Sequence, residues 1–338
     1  MTKNILVTGG AGYIGAQTCK ALSASGFTPV VYDNLSTGNI WSVQWGPFEH
    51  GDICDGARLR AVMDKVQPVG IIHFAALALV GESMTDPAIY YRTNVGGLVE
   101  VLDACRGAGV ENVVFSSSCA VYGAPERMPI DEATPQNPIN PYGASKAVGE
   151  RVLADYSAAF GIRYAALRYF NAAGADPEAG LGEARAIETH LVPLAVDALL
   201  GRRPALKRMG DDFPTRDGTA VRDYVHVIDL AEAHVKALRS LLAGGASRVM
   251  NLGTGHGASV SEVIEAVSRI GGKPMPVEQA PRRPGDPPEL VADPKAAREF
   301  LGPDALERSK LDAIVESTIR WRTSPVYDRW LASQGTGS

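Results

Sequence analysis

The sequence predicts an α/β fold built on a doubly wound parallel sheet, with a second, smaller lobe formed later in the chain. Short aliphatic segments alternate with helical segments through the first half. Runs such as "NILVTG" and "NVVFSSS" contain consecutive apolar residues and do not alternate apolar with polar ones. Continuous hydrophobicity is typical of parallel strands that are covered on both faces. A glycine turn separates the first strand from the first helix, and after Asn171 the chain becomes rich in Gly, Pro and charge.

The elements of the first half follow one another in strand–helix order. The predicted strands include, in order, "NILVTG", "TPVVYD", "VGIIHFAA", "NVVFSSS" and "IRYAALRYFN". The helices between them include "IGAQTCKALSASG", "GARLRAVMDKV", "NVGGLVEVLDACRGAG" and a helix that begins near Tyr142. In such a sheet the ligands bind at the carboxyl ends of the strands.

The second half predicts a lobe that is discontinuous in sequence. Helices are expected around "ETHLVPLAVDALLG" and "HVIDLAEAHVKALRSLL", with a further strand at "RVMNLG". We expect a first domain over 1–177 that is rejoined by about 221–255, and a smaller lobe made of 178–220 and 256–330. The tail over 333–338 is expected to be disordered.

Composition excludes several classes of function. The 338 residues carry a net charge of −5 without a run of lysine or arginine, which argues against a nucleic-acid partner. No apolar run approaches the roughly 20 residues that a membrane helix needs, and "MTKNILVTGG" is too short for a signal-peptide core. None of the four cysteines forms a C-x-x-C pair or lies near a histidine at zinc-ligand spacing. We expect a cytoplasmic protein with reduced thiols, no structural metal and no membrane partner.

The glycine turn "VTGGAGYIG" predicts a Rossmann-type dinucleotide site. Gly9 permits the tight turn, Gly12 lets the backbone approach a pyrophosphate, and Gly15 permits close packing of helix on sheet. Asp33 ends the second strand 18 residues after Gly15, where a carboxylate accepts hydrogen bonds from ribose hydroxyls and repels a 2′-phosphate. The pattern therefore favours NAD over NADP. Further expected cofactor contacts follow the third and fourth strands, namely Asp52, Ile53, Phe74, Ala75 and Ala76.

The chemistry is expected where the fifth strand ends in three serines. Tyr142 follows Ser118 by 24 residues at the next helix start, and Lys146 lies four residues further on the same helix face. A phenol titrates near pH 10, and a nearby ammonium together with a cationic cofactor favours the phenolate. Ser118, Tyr142 and Lys146 are therefore the predicted catalytic group, with Tyr142 as the base.

At this point the chain resembles the UDP-glucose 4-epimerase family, in the extended branch of the short-chain dehydrogenase/reductase superfamily. The blocks that carry the resemblance span about residues 3–325 and read, in order, "VTGGAGYIG", "YDNLSTG", "HFAALALVGES", "VFSSSCAVYG", "NPYGASK", "LRYFNAAGA", "DGTAVRDYVHVIDLAEAHVKAL", "NLGTG" and "APRRPGD". The resemblance implies tightly bound NAD, removal of the sugar 4-hydroxyl proton by Tyr142 with Ser118 relaying it, and a transient 4-keto sugar. It also implies a homodimer that pairs the helices after residues 88 and 144.

The resemblance assigns further residues by position. It implies dinucleotide contacts, beyond the glycines and Lys146, at Tyr13, Ile14, Asp33, Asn34, Asp52, Ile53, Asn94 and Phe170. It implies UDP-sugar contacts, beyond Ser118 and Tyr142, at Asn171, Leu191, Arg222, Arg283 and Asp286. Two guanidiniums also suit a diphosphate in an otherwise acidic chain.

Three positions depart from the family pattern. Ala78 replaces a common lysine, so no cofactor contact is expected there, and His190 replaces a common asparagine at the sugar-nucleotide site. Leu290 stands where side-chain size sets the width of the sugar pocket. UDP-glucose and UDP-galactose are the favoured substrates, with UDP-xylose/UDP-arabinose and UDP-N-acetylhexosamines as alternatives.

Two other functions remain as rivals on the same fold. A nucleotide-sugar 4,6-dehydratase needs an acid and a base directly after the serine of the fifth strand, whereas Cys119 and Ala120 follow Ser118 here. A non-catalytic NAD-sensing regulator has no need of the tyrosine and lysine, and this chain carries both.

Overall fold

The computed structural model describes residues 3–283, 285–302 and 304–334. The strands in these segments are β1 Lys3–Thr8, β2 Phe27–Asp33, β3 Phe48–His50, β4 Gly70–His73, β5 Asn112–Ser118, β6 Arg163–Tyr169, β7 Asn171–Ala173, β8 Leu206–Met209, β9 Val221–His226, β10 Arg248–Leu252, β11 Gly257–Ser259, β12 Val277–Ala280 and β13 Glu289–Leu290. The helices are α1 Tyr13–Ala24, α2 Gly56–Val66, α3 Val80–Thr85, α4 Pro87–Tyr90, α5 Gly97–Ala108, α6 Pro141–Phe160, α7 Leu191–Leu199, α8 Val227–Leu242, α9 Val260–Ile270, α10 Lys295–Leu301, α11 Leu311–Arg322 and α12 Pro325–Gln334.

A parallel sheet in the order β3-β2-β1-β4-β5-β6-β10 dominates the part of the chain that the structure describes. Alternate residues of its strands enter different cores. Ile5 and Val7 of β1 pack on one face with α1 and α8, whereas Leu6 packs on the other with α2 and α5. Burial on both faces explains why the strands are apolar nearly throughout. The predicted doubly wound α/β fold is confirmed.

A smaller sheet lies beside the large one. Strand β9 pairs with β7, β11 and β13, and α7, α9 and α11 share a separate apolar core. Strand β9 was expected to belong to the segment that rejoins the first domain, but its pairing is with this small sheet. The chain instead returns to the large sheet with α8 and β10, because α8 packs on α1 and β10 pairs with β6.

The last helix extends further than the sequence indicates. Residues 333 and 334 end α12, although they were expected to begin a disordered tail, and residues 335–338 lie outside the described segments. Trp330 and Tyr327 of this helix are buried, which fixes it to the small lobe. Among the described helices, none is both long and apolar enough to cross a membrane.

Helix α6 begins and ends at specific local signals. Asn140 caps its first turn by accepting a hydrogen bond from the backbone of Gly143 at 2.8 Å, and Pro141 occupies the first helical position. The helix stops at Gly161, whose φ of +74° places it in the left-handed region that glycine tolerates. These signals place Tyr142 in the first turn of the helix.

Candidate active site

The glycine turn has the geometry that the sequence predicts. Gly9 has a φ of +71°, and a Cβ there would lie 2.6 Å from the backbone nitrogen of Ala75. A Cβ on Gly15 would lie 2.2 Å from the carbonyl oxygen of Gly9, so a side chain has no room. A Cβ on Gly12 would meet only that same carbonyl oxygen, at 3.2 Å. Gly9 and Gly15 are thus fixed by packing, whereas Gly12 is open on the side from which a ligand approaches.

Asp33 joins the end of β2 to the glycine turn. Its carboxylate accepts hydrogen bonds from the backbone amides of Ala11 at 3.0 Å and Leu35 at 2.8 Å. Burial raises the pKa of Asp33, and the two amides act in the opposite direction. The side chain therefore holds the turn in place at the position where the sequence predicts a ribose contact.

The residues after β3 and β4 continue the same edge of the sheet. Asn34 donates a hydrogen bond to the carboxylate of Asp52 at 2.9 Å, and Ile53 is buried. The backbone amides of Phe74 and Ala75 donate to the carbonyl oxygen of Thr8, which ties this segment to β1. Other predicted cofactor residues at this edge are the partly buried Ala76 and Ile14.

Asn94 lies in a single wide, π-helical turn, Tyr91–Gly96, that precedes α5. Its amide exchanges hydrogen bonds with the backbone of Leu77 at 2.8 and 3.0 Å and donates to Ser145 of α6 at 2.9 Å. Wide turns of this kind occur frequently at functional sites. Asn94 therefore joins the segment after β4 to α6, and the cofactor contact that the resemblance implies for it stays a prediction.

Tyr142, Lys146 and Ser118 come together where β5 meets the start of α6. The ammonium of Lys146 donates to the carbonyl oxygen of Ser116 at 2.9 Å and lies 5.9 Å from the centre of the Tyr142 ring. A hydrogen bond between the Ser118 hydroxyl and Tyr142 lowers the pKa of the phenol. The predicted catalytic residues are thus neighbours at the carboxyl edge of the sheet.

The protein without its cofactor does not favour the phenolate form of Tyr142. Burial is the largest effect on its pKa and raises it to about 12, against the smaller opposing effect of Ser118. Lys146 is not among the groups that lower it. The protein groups alone therefore keep Tyr142 neutral, because a phenolate loses its hydration in this site.

The pKa of Lys146 lies close to physiological pH. Burial lowers its pKa to about 8, and the carboxylate of Glu150 opposes that shift. Its ammonium lies 5.1 Å from the centre of the Phe115 ring, within the range of a cation–π contact. His73, which is hydrogen-bonded to Thr8 at 2.7 Å, has a pKa lowered to about 3 by burial and by Lys146. A neutral histidine therefore links β1 to the lysine.

Three of the predicted sugar-nucleotide residues lie on the small sheet: Asn171 on β7, Arg222 on β9 and Leu290 on β13. Phe170, an expected dinucleotide contact, is buried after β6, and Asn171 begins β7, which runs parallel to β9. Arg222 of β9 forms an ion pair with Asp286 and donates to the carbonyl oxygen of Val221 at 2.7 Å. The guanidinium of Arg222, which is predicted to bind the diphosphate, is therefore already paired with Asp286, another predicted substrate residue.

Arg283 and Leu290 occupy the segment that closes this side of the site. Arg283 is exposed, and among the described residues it has no side-chain hydrogen bond or ion pair. Leu290 pairs with Arg222 in the small sheet and packs against the buried cluster that includes Cys119 and Phe170. Leu290 therefore lies next to the turn that follows Ser118, and its role in setting the width of a sugar pocket stays a prediction.

His190 precedes α7, which begins at Leu191. Its Nδ1 lies 2.7 Å from the carboxylate of Glu183, which raises the pKa of the imidazole. The pKa of Glu183 is lowered to about 2, against the effect of its burial, by His190 and nearby arginines.

The hydroxyl of Tyr13 donates to the carbonyl oxygen of Gly174 at 2.5 Å, so the predicted cofactor contact of Tyr13 is not through a free hydroxyl.

Sequence reasoning missed the buried pair of Glu150 and Arg168. The Arg168 guanidinium donates to both carboxylate oxygens of Glu150 at 2.8 and 2.5 Å, directly beneath the catalytic group. Glu150 follows Lys146 by four residues, which is the same spacing that separates Lys146 from Tyr142. That repeated spacing was the available signal.

The family comparison follows from this geometry. The model of the NAD dependent epimerase/dehydratase family matches residues 5–253. The chain belongs to the NAD dependent epimerase/dehydratase family. A UDP-glucose 4-epimerase of Rhizobium meliloti (strain 1021) is 51% identical over 320 residues, which cover 95% of this chain and 97% of that protein.

Solved structures of similar proteins cover nearly the whole chain. The UDP-glucose 4-epimerase of Brucella ovis, in complex with NAD, has a TM-score of 0.91 and 53% identity over 94% of this chain and 98% of that one. The UDP-glucose 4-epimerase of Bifidobacterium longum, in complex with NAD+ and UDP, has a TM-score of 0.88 and 35% identity over 96% and 99%. The family resemblance that the sequence blocks carry is confirmed. The roles of individual site residues stay predictions.

Proposed function

We propose that this protein is an NAD-dependent UDP-sugar 4-epimerase that interconverts UDP-glucose and UDP-galactose. The observation that carries the proposal is the Ser118, Tyr142 and Lys146 group beside an open glycine turn. It stands in a chain that is similar over nearly its whole length to proteins named UDP-glucose 4-epimerase.

The residues present fit NAD. Gly12 leaves room for a pyrophosphate, and the amino-terminal end of α1 offers backbone amides and partial positive charge with no acidic residue in its first turn. Asp33 is positioned for the ribose hydroxyls. When bound, NAD would supply the acceptor for the hydride that leaves C4 of the sugar, and its reduced form would be the donor for the opposite face of the 4-keto sugar.

The chain's own residues handle the proton. Tyr142 accepts the proton of the sugar 4-hydroxyl, with Ser118 hydrogen-bonded to the phenol. Moving the pKa of Tyr142 from about 12 to about 7 requires about 7 kcal/mol of preference for the phenolate. The pKa of about 12 already includes Lys146, whose ammonium lies 5.9 Å from the ring centre, so the cationic nicotinamide of bound NAD would have to supply this preference. Tyr142 thus becomes a base only in the loaded site.

The diphosphate would be held by arginines of the small lobe. Arg283 has an exposed guanidinium, and Arg222 is held in place by its ion pair with Asp286. Bidentate guanidinium groups suit phosphate oxygens. Leu191, at the start of α7, and Asn171, at the start of β7, border the same side of the site.

The dehydratase alternative lacks its acid and base. Cys119 and Ala120 begin the short helical turn directly after Ser118. Burial raises the pKa of the Cys119 thiol to about 12, so it remains a neutral thiol at physiological pH. Neither residue supplies the proton transfers of a 4,6-elimination. A non-catalytic NAD-sensing regulator would not need Tyr142 and Lys146 to be arranged in this way.

We further propose a homodimer in which α6 and the helical segment through α3, α4 and α5 pack against their counterparts. Large apolar side chains are exposed on these elements, namely Val80, Met84, Tyr91, Val148 and Phe160. Such patches mark interaction sites when they are contiguous. Light scattering at micromolar concentration should give twice the monomer mass, and a monomer would contradict the dimer.

The cytoplasm is the proposed location, since the four cysteines are all unpaired.

Separate incubations with three nucleotide sugars test the proposed activity. The purified protein, with no added NAD, is given UDP-galactose, UDP-arabinose or UDP-N-acetylgalactosamine, and the products are resolved by chromatography. Conversion of UDP-galactose to UDP-glucose is the expected result. Conversion of the pentose or the N-acetyl sugar alone would reassign the substrate, and conversion of none would contradict the epimerase function.

A further inference from the structure

One face of α6 carries three functional side chains at equal spacing. Tyr142, Lys146 and Glu150 are each four residues apart, so they rise along the helix in steps of about 6 Å. Each of them faces a different one of three consecutive serines of β5: Lys146 donates to the carbonyl oxygen of Ser116 and Glu150 accepts from the hydroxyl of Ser117, while Ser118 is close enough to Tyr142 to lower the pKa of the phenol. Three neighbouring residues of the strand thus face one side of the helix.

The Glu150 contact has the most hydrogen bonds of the three. The Glu150 carboxylate accepts hydrogen bonds from Ser117 at 2.5 Å, from Gln136 at 2.7 Å and twice from Arg168. The side chains of Glu150 and Arg168 are both 6% exposed. A carboxylate that accepts four hydrogen bonds is held in one orientation, because all of its donors come from other parts of the fold.

The pair also fixes the turn that follows Ser118. Arg168 donates to the hydroxyl of Tyr122 at 2.7 Å, and Tyr122 donates to Asn251 of β10 at 2.7 Å. Tyr122 ends the short helical turn that starts directly after Ser118. One connected set of hydrogen bonds thus reaches from α6 through β6 to β10, beneath the catalytic residues.

We propose that Glu150 is a positioning residue of the active site, which fixes the level of α6 along β5 so that Tyr142 faces Ser118 and Lys146 faces Ser116. The inference rests on the proposed epimerase function for its effect on turnover. Backbone hydrogen bonds within α6 do not set where the helix lies along the strand. The Ser117–Glu150 bond joins β5, between Ser116 and Ser118, to α6 one turn beyond Lys146, so its loss lets Tyr142 and Lys146 shift together.

Close packing makes the position of α6 sensitive to small shifts. A Cβ on Gly143 would lie 2.4 Å from the carbonyl oxygen of Ala120, and one on Gly149 would lie 2.9 Å from the Phe115 ring. The helix therefore rests directly on the backbone of the turn after β5 at Gly143 and on the Phe115 ring of β5 at Gly149. Displacements of about 1 Å at catalytic groups cost about 100-fold in rate.

Glu150 also acts on the charge of Lys146. The titratable groups that face Lys146 are Tyr142 and Glu150 on its own helix and His73 on β4, with the Phe115 ring on β5. Tyr142 and His73 are neutral near pH 7, since their pKa values are about 12 and about 3. Glu150 is therefore the charged group in this set that keeps the ammonium protonated against its burial.

The test compares Ser117→Ala with Ser309→Ala. Ser117→Ala removes only the hydroxyl that joins β5 to Glu150 and leaves the Glu150–Arg168 pair intact. Ser309→Ala removes the same kind of bond, because the Ser309 hydroxyl donates at 2.7 Å to the buried carboxylate of Asp229, on a helix away from the site. We expect kcat for UDP-galactose to fall about tenfold or more in Ser117→Ala, with KM within about twofold. Ser309→Ala should keep the wild-type kcat.

A pH profile separates positioning from simple stability. In Glu150→Gln the pKa of Lys146 should fall further below its value of about 8, so the decline of kcat at alkaline pH should begin at a lower pH than in the wild type. Ser117→Ala retains the carboxylate and should keep the wild-type profile at reduced height. Where Glu150→Gln does not fold because Arg168 is left without its counter-charge, Ser117→Ala decides the question.

The crystal structure of Ser117→Ala gives a readout that does not depend on turnover. The distance from the Lys146 ammonium to the Ser116 carbonyl oxygen, 2.9 Å in the wild type, should lengthen. An unchanged distance, a wild-type kcat in Ser117→Ala, or an equal loss of kcat in Ser309→Ala would overturn the positioning role. A wild-type protein that converts no UDP-sugar would overturn the proposed function alone, and the distance would then decide the position of α6.

Discussion

The glycine turn offers a prediction in which one of two neighbouring substitutions should mainly lower stability and the other should mainly weaken NAD binding. Gly15→Ala places a methyl group 2.2 Å from the carbonyl oxygen of Gly9, where only movement of the backbone relieves the overlap. Gly12→Ala places one 3.2 Å from the same oxygen, a contact that a shift of a few tenths of an ångström accommodates. Gly12 also has φ −80° and ψ 173°, which alanine adopts without strain.

The magnitudes follow from these contacts. Overpacking against backbone costs about 3 kcal/mol, and alanine regains up to about 1 kcal/mol of helix propensity at Gly15. At roughly 2 °C per kcal/mol for a chain of this size, cofactor-free Gly15→Ala should melt about 4 °C below the wild type. Gly12→Ala should lose about 1 kcal/mol at the helix start, or about 2 °C. Its methyl group displaces the pyrophosphate from several backbone amides, which corresponds to an about 100-fold weaker Kd for NAD.

Thermal unfolding of the cofactor-free proteins and titration with NAD measure both effects. Gly12→Ala should remain nearly as stable as the wild type but lose bound NAD on purification. Gly15→Ala should lose stability first and NAD only as a consequence. If Gly12→Ala retains wild-type affinity for NAD, the open side of Gly12 is not where the pyrophosphate binds.

Three further outcomes follow from the sugar-nucleotide side and the surface. Leu290→Ala should raise kcat/KM for UDP-N-acetylgalactosamine relative to UDP-galactose by about tenfold, because it widens the pocket beside the Cys119 turn; an unchanged ratio would place the specificity elsewhere. Glu183 raises the pKa of His190 above 6.5, so the imidazolium persists above that pH and is lost as pH rises through the raised pKa. The KM for UDP-galactose should therefore rise with pH in the wild type and stay flat in His190→Gln, and parallel curves would contradict a substrate contact. Val148→Asp should give a monomer by light scattering, since it places a charge on the exposed apolar face of α6, and a persisting dimer would rule out that face.

The strands and the glycine turn were predictable because their signals are local. A fully apolar strand reports burial on both faces, and Gly9, Gly12 and Gly15 report three different backbone constraints within one turn. The candidate catalytic group could also be predicted from the sequence, since Tyr142 and Lys146 share one helix face. Each of these conclusions needs only residues that are close in sequence.

Long-range pairing was not predictable in the same way. Strand β9 looks like a return to the large sheet, but its partners β7, β11 and β13 are settled by packing of the small lobe. The direction of the Tyr142 pKa shift depends on how deeply the phenol is buried. The spacing of residues in the sequence does not reveal that burial. Arg168 and Gln136 reach Glu150 from different elements, so its role is visible only once the sheet is assembled.

Turnover in wild-type protein and in Tyr142→Phe tests most directly whether this site inverts C4 of a UDP-sugar with Tyr142 as base. Both proteins are incubated with UDP-galactose without added NAD, and UDP-glucose and bound NAD are quantified. The wild type should reach an equilibrium mixture of the two sugars. Tyr142→Phe should retain NAD and lose about 10³-fold in kcat, as removal of a general base does. A fully active Tyr142→Phe would contradict the assignment of the base, and an inactive wild type with bound NAD would contradict the epimerase function itself.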